Sequence, residues 1–203
     1  PAGADGVLGY AGAAQDGRDD DFHVQSLHGS YHGGSFAPVA TNGGTGAPAP
    51  LTGTWVNDAV QSPAIDRGAP GDSYVNEPAP SGNYINVGAY GNTAQASRSP
   101  AEYVLVTKPD GGEVWPAQQT FPLRWRSHDL NLTFLLELLQ QGNPTPLLTI
   151  AAAAAGTGEY VWTVPDTLPP ATDHLIRVTR NDAGALSDVS DFPFSITAPI
   201  NVY

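Results

Sequence analysis

The chain has 203 residues, with 20 acidic and 8 basic side chains, a formal net charge of −12, and neither cysteine nor methionine. Nucleic acid is disfavoured as a partner: phosphate neutralisation needs clustered Lys and Arg, and here a single lysine, Lys108, accompanies seven scattered arginines. No disulfide can staple the fold, which must rest on burial, backbone pairing or bound ions, and no apolar run reaches the ~18–20 residues that a membrane span needs.

Glycine divides the chain, since 17 of the 23 glycines fall before residue 101. A Pro/Ser/Ala-rich stretch from Ala94 to Ala101 reads as a junction, giving a Gly-rich module over 1–100 and a second module over 101–203. The first residue is not methionine and stands in a Gly/Ala/Asp run, as expected of a segment taken from a longer polypeptide.

In the first module Gly and Pro interrupt every window long enough for a helix, and short extended pieces are predicted at Phe22–Leu27, Gly53–Val60 and Ile85–Tyr90. Ahead of them, Asp16, Asp19, Asp20 and Asp21 concentrate carboxylates as a Ca²⁺ site would, without the register of an EF-hand loop. Two readings stand for this run: a calcium site and a solvated acidic turn. His23, His28 and His32 lie close in sequence, but a four-residue spacing joins ligands only on a helix, so ordinary hydrogen-bonded loop histidines are expected. His32-Gly33-Gly34-Ser35-Phe36 approaches a nucleophile elbow, yet Ala37 replaces the closing glycine and no strand–turn–helix surrounds it. Asp58, Asp66, Asp72 and Glu77 could converge as a carboxylate pair for polysaccharide cleavage, although nothing in the sequence selects two of them.

Three motifs in order carry a resemblance: Asp20-Asp21-Phe22-His23-Val24-Gln25-Ser26, then Ser62-Pro63-Ala64-Ile65-Asp66-Arg67-Gly68, then Asn76-Glu77-Pro78 with Asn83-Tyr84-Ile85-Asn86-Val87-Gly88-Ala89-Tyr90-Gly91. Together they resemble the closing rungs of right-handed parallel β-helix proteins secreted by bacteria. The resemblance implies terminal rungs with Ile65, Ile85 and Val87 pointing inward, and Gly88 and Gly91 serving close approach or positive φ at corners. It says little of function, since β-helices include both lyases and inert stalks.

Alternation is clearer in the second module. Phe121, Leu123 and Trp125 share one face of an extended segment, and Tyr160, Trp162 and Val164 repeat the pattern. Tyr103–Thr107, Leu132–Leu139, Leu147–Ile150, His174–Arg180 and Phe192–Ile196 bring the strand count to seven, as in an immunoglobulin-like sandwich. Leu132–Gln141 is rich in helix formers, but alternation through Leu132, Phe134, Leu136 and Leu138 makes it a strand. The run Ala151–Ala155 is expected to end a strand or form a hairpin arm. Trp125 and Trp162 read as core, whereas Trp55 and Trp115, near turns, are the candidate platforms for a sugar ring. A single glycosylation sequon, Asn131-Leu132-Thr133, matters only in a host that glycosylates it.

Lys108-Pro109-Asp110-Gly111-Gly112-Glu113-Val114-Trp115, Leu123-Arg124-Trp125, Gly158–Pro165 and Ser190–Ile196 carry a second resemblance. They resemble the Ser/Thr-rich, glycosylphosphatidylinositol-anchored wall-protein domain first associated with fungal cell-wall glucan synthesis. This implies a β-sandwich on an extracellular protein, with no catalytic residues to carry over. The fungal anchoring role is not implied, because no Ser/Thr-rich tail follows. After the last predicted strand, Pro199 precedes an alternating stretch in which Ile200, Val202 and Tyr203 could pair with the sheet edge of a neighbouring copy or open the next domain.

The expectation is an all-β protein: terminal β-helix rungs or an irregular Gly-rich β module, followed by an immunoglobulin-like sandwich. Its expected role is a non-catalytic stalk, spacer or repeating unit of an extracellular or cell-surface bacterial assembly or filament. Expected partners are copies of itself or neighbouring domains. The alternative is a carbohydrate-binding accessory region of a β-helix polysaccharide-degrading enzyme. Calcium is the one cofactor considered, on the reading of the acidic run as a site rather than a solvated turn.

Overall fold

A computed structural model describes residues 10–12, 15–16, 20–33, 53–129 and 131–200. The chain forms two compact units, Pro1–Ala101 and Glu102–Tyr203. The described residues are all-β with no helix, hence none long and apolar enough to cross a membrane.

In the first unit, β1 (Tyr10–Gly12) pairs antiparallel with β2 (Gln15–Asp16), and β3 (Ser30–His32) pairs antiparallel with β4 (Thr54–Val56). Parallel β-helix rungs are not shown among its described residues, which form an irregular, Gly-rich β module. Phe22–Leu27 joins no sheet, the Gly53–Val60 segment yields only β4, and Ile85–Tyr90 is a series of bends and turns. Local geometry supplies the reason. Asp66, Asn83, Asn92, Gly71 and Gly88 all have positive φ, which ends extended backbone every few residues. The backbone amides are then received partly by carbonyls of neighbouring segments, as Val87 by Ala64 and Gly68 by Ile85, and partly by side chains such as Glu77 and Asp66.

Ile65 is buried, but Val87 is 50% exposed and does not point inward. A Cβ on Gly91 would lie 2.2 Å from the Asn86 carbonyl oxygen, so this position does serve a close backbone approach. The interior of the unit is polar. Among its described residues the buried hydrophobic ones are Ile65 and Ala96, whereas Asp20, His23, Ser26, Ser30, Asp66, Glu77, Asn86, Ser97 and Ser99 are buried polar ones.

The second unit contains β5 (Val104–Lys108), β6 (Val114–Pro116), β7 (Thr120–Ser127), β8 (Thr133–Gln140), β9 (Asn143–Ala155), β10 (Glu159–Thr163), β11 (Ala171–Arg180), β12 (Ser187–Val189) and β13 (Phe194–Thr197). One sheet runs β10-β7-β5. The other runs β6-β13-β11-β8-β9, with β12 also on β11; neither closes. All pairings are antiparallel except β13 with β6. The segment with strong helix formers is strand β8, because Phe134, Leu136 and Leu138 lie fully buried on its inner face. The alanine run ends β9. Trp125, Trp162, Leu123, Val106, Ile176, Val178, Phe194 and Ile196 complete a continuous apolar core between the sheets. Two strands escaped the sequence pattern, β6 and β12, each three residues long and too short to show alternation.

The sheet edges are protected in different ways. On β5 the Val106 amide donates to Asp188 Oδ2 at 2.8 Å, so a carboxylate from β12 of the other sheet occupies that edge. The outer strand β9 is interrupted by several register shifts and by Pro144 and Pro146.

Candidate functional site

The densest group of chemistry-bearing side chains lies in the first unit, where the hairpin β3–β4 meets the extended segment Asp20–Ser26. Ser30 and His32, two apart on β3, share one face of the strand. Val56 pairs with Ser30, which brings Asp58 just beyond the end of β4 to the same place. Ser30 Oγ donates to Asp58 Oδ2 at 2.5 Å and lies 2.7 Å from His32 Nε2, which is 2.9 Å from Asp58 Oδ1. The other ring nitrogen, His32 Nδ1, faces Asp21 Oδ2 at 3.3 Å. Asp21 Oδ1 in turn meets His23 Nδ1 at 2.7 Å, and His23 Nε2 reaches Gln95 Oε1 at 3.3 Å. The buried His23 ring stacks on Tyr90 with centroids 3.6 Å apart. Burial pushes the Asp58 carboxyl up. Bonds from the Ser30 hydroxyl, the Ser26 amide and His32, with the attraction of the His32 ring, outweigh this and hold it below the usual carboxylate range.

Ser30, His32 and Asp21 reproduce the atom order of a nucleophilic triad. Ser30 is fully buried, and its hydroxyl proton is directed at Asp58. The cluster is instead a clamp of alternating carboxylates and imidazoles that fastens the hairpin to Asp20–Ser26. His23 and His32 thus make ordinary hydrogen bonds. The roles of Ser30 and Asp58 were missed, and the signal for Ser30 was its i, i+2 relation to His32.

The four acidic residues considered for polysaccharide cleavage serve separate tasks. Asp58 belongs to the clamp. Asp66 Oδ1 accepts from the Gly82 amide at 3.1 Å and the Ser99 hydroxyl at 2.9 Å. Glu77 Oε1 accepts from the amides of Asn86 and Asn92 at 2.8 and 2.9 Å, while Asp72 is exposed. The sequence motifs around Ile65, Glu77 and Asn86 therefore converge on backbone support.

Of the calcium candidates, Asp20 is buried and Asp21 is engaged by the two histidines. Asp19 lies outside the described residues, and Asp16 is described only as part of β2. Among the described residues no group of three or more His, Cys, Asp or Glu side chains is arranged to hold a metal ion.

Of the two sugar-platform candidates, Trp115 must be withdrawn. It is 3% exposed, stacked on Phe121 at 4.8 Å and packed against Phe194 at 4.6 Å, because the turn before β6 directs its side chain between the sheets. Trp55 is 37% exposed on β4, with the Arg98 guanidinium 4.5 Å from its ring centroid and Tyr31 edge-on at 5.8 Å. Of the assembly candidates, Ile200 is 63% exposed beyond β13, and Val202 and Tyr203 lie outside the described residues.

No curated protein and no solved structure matches the chain. Residues 108–192 match the family model of the Kre9/KNH-like N-terminal Ig-like domain. This stretch runs from the end of β5 almost to β13, so the second unit is an Ig-like sandwich similar to that fungal wall-protein domain.

Proposed function

We propose that the chain is a non-catalytic structural module of a secreted or cell-surface protein, serving as a stalk, spacer or repeating unit. The observation that carries this reading is the match of residues 108–192 to a Kre9/KNH-like Ig-like domain, a domain type of secreted cell-wall proteins. The polar clamp of the first unit fits the same role, since its serine is sealed and its carboxylates hold backbone and histidines. A bacterial source and a filament are finer proposals, which rest on the motif resemblance of the first unit and on the exposed tail residue Ile200. Antibody labelling of intact cells of the source organism tests the compartment. Surface signal is expected, and labelling only after lysis would overturn the reading.

Trp55 favours a second reading, carbohydrate binding, because it is the tryptophan that keeps more than a third of its surface exposed, beside the polar side chains of Tyr31 and Arg98. Calorimetric titration with wall polysaccharide fragments tests it. Binding that disappears in Trp55→Ala would support the platform, and equal heats for the two proteins would remove it.

A further inference from the structure

Between β7 and β8 the chain reads Asp129-Leu130-Asn131-Leu132-Thr133. Asn131 and Thr133 are exposed, whereas Leu132 is partly buried and packs against the sandwich core. Alternation therefore turns the acceptor asparagine and the threonine outward together, with the leucine between them as an anchor. Asp129 Oδ1 accepts from the Asn131 amide at 2.8 Å, which fixes the bend by its backbone. Thr133 Oγ1 accepts from Asn181 Nδ2 at 3.1 Å, a bond that does not use its own hydroxyl proton.

We propose that Asn131 is an acceptor for one N-linked glycan, displayed at the end of the sandwich where the β7–β8 bend lies beside Asn181. Its use in the cell rests on the extracellular reading above, but the acceptor chemistry does not. The donor is a polyprenyl-diphosphate oligosaccharide. The Asn131 carboxamide nitrogen bonds to the anomeric carbon, the anomeric C–O bond breaks, and the lipid diphosphate leaves with that electron pair. The amide proton passes to a carboxylate of the transferase. A glycan here faces solvent, so the modified sandwich keeps its packing.

The test incubates the purified full chain with a single-subunit oligosaccharyltransferase and lipid-linked oligosaccharide, and reads intact mass. A gain of one glycan is expected for the wild type and for Thr133→Ser, and none for Asn131→Gln or Thr133→Ala. Each variant should melt within a few degrees of wild type, which separates loss of the acceptor from loss of the fold. An unmodified chain beside a modified synthetic peptide of the same five residues would overturn the proposal, since the fold would then hide the site. An unmodified peptide would overturn it equally. Because the reaction is run outside the cell, failure of the extracellular reading leaves this result standing on its own.

Discussion

Asp58 and Ser26 hold each other twice. The Ser26 amide donates to Asp58 Oδ2 at 2.7 Å, and the Asp58 amide donates to the Ser26 carbonyl at 2.8 Å. The same carboxylate carries Ser30 and His32, so one side chain ties the end of β4 to β3 and to the extended segment.

Asp58→Ala should therefore loosen the hairpin more than a surface change would, at a cost of about 2 kcal/mol. Because the folded carboxyl is held below its unfolded value, its contribution is present above the unfolded pKa of about 3.9 and is lost as pH falls through the folded value. Limited proteolysis should cut the variant in the first unit at neutral pH. An Asp58→Ala variant as resistant to the protease as wild type would contradict the clamp.

His174 adds a pH dependence of the same sign, at higher pH, in the second unit. It faces inward from β11 beside Phe194, and among the described residues only the Leu139 carbonyl approaches its ring, without a well-formed hydrogen bond. Burial pushes its pKa down, against the opposing pull of the Asp173 charge and the Leu139 carbonyl. The unfolded chain thus takes up the proton first. Stability should be full above the unfolded value of about 6.5 and decline as pH drops from there toward the lower folded value. Urea midpoints at pH 7.5 and pH 5 check this, with His174→Leu expected to flatten the difference.

The tryptophans should divide by burial. Trp125→Ala and Trp115→Ala each remove a side chain from the core and should cost about 3–5 kcal/mol, enough to unfold much of the second unit. Trp55→Ala should cost about 1 kcal/mol or less, mainly its contact with Arg98. Thermal melts that rank Trp115 with Trp55 would be incompatible with the sandwich packing.

Alternation in the sequence disclosed most of the sandwich because β7, β8, β10 and β11 each bury one face for at least five residues. Trp115 misled because nearness to a turn says nothing about which way a three-residue strand faces. The first unit was harder. Its order comes from pairs such as Glu77 with the Asn86 amide and Ser99 with Asp66, and side-chain bonds across nine to 33 residues have no period to read. Ser30 belongs to the same class: its partner Asp58 lies 28 residues away.

Asp188→Ala should open the edge of β5. Without the carboxylate, the Val106 amide loses its acceptor, and the outer side of the three-stranded sheet is free to pair with another chain. Light scattering at rising concentration should report association beyond that of wild type, with a stability loss of about 1–2 kcal/mol. An unchanged mass would mean that other features guard this edge.

The polar interior of the first unit has a calorimetric consequence. Heat-capacity change on unfolding comes from newly hydrated apolar surface and is offset by newly hydrated polar surface, giving about 12–15 cal/mol/K per residue in ordinary domains. A unit whose described residues bury Ile65 and Ala96 beside nine polar side chains should fall well below that range. Its stability curve would then be shallow, varying less between cold and warm conditions than that of the apolar-cored sandwich in the same chain.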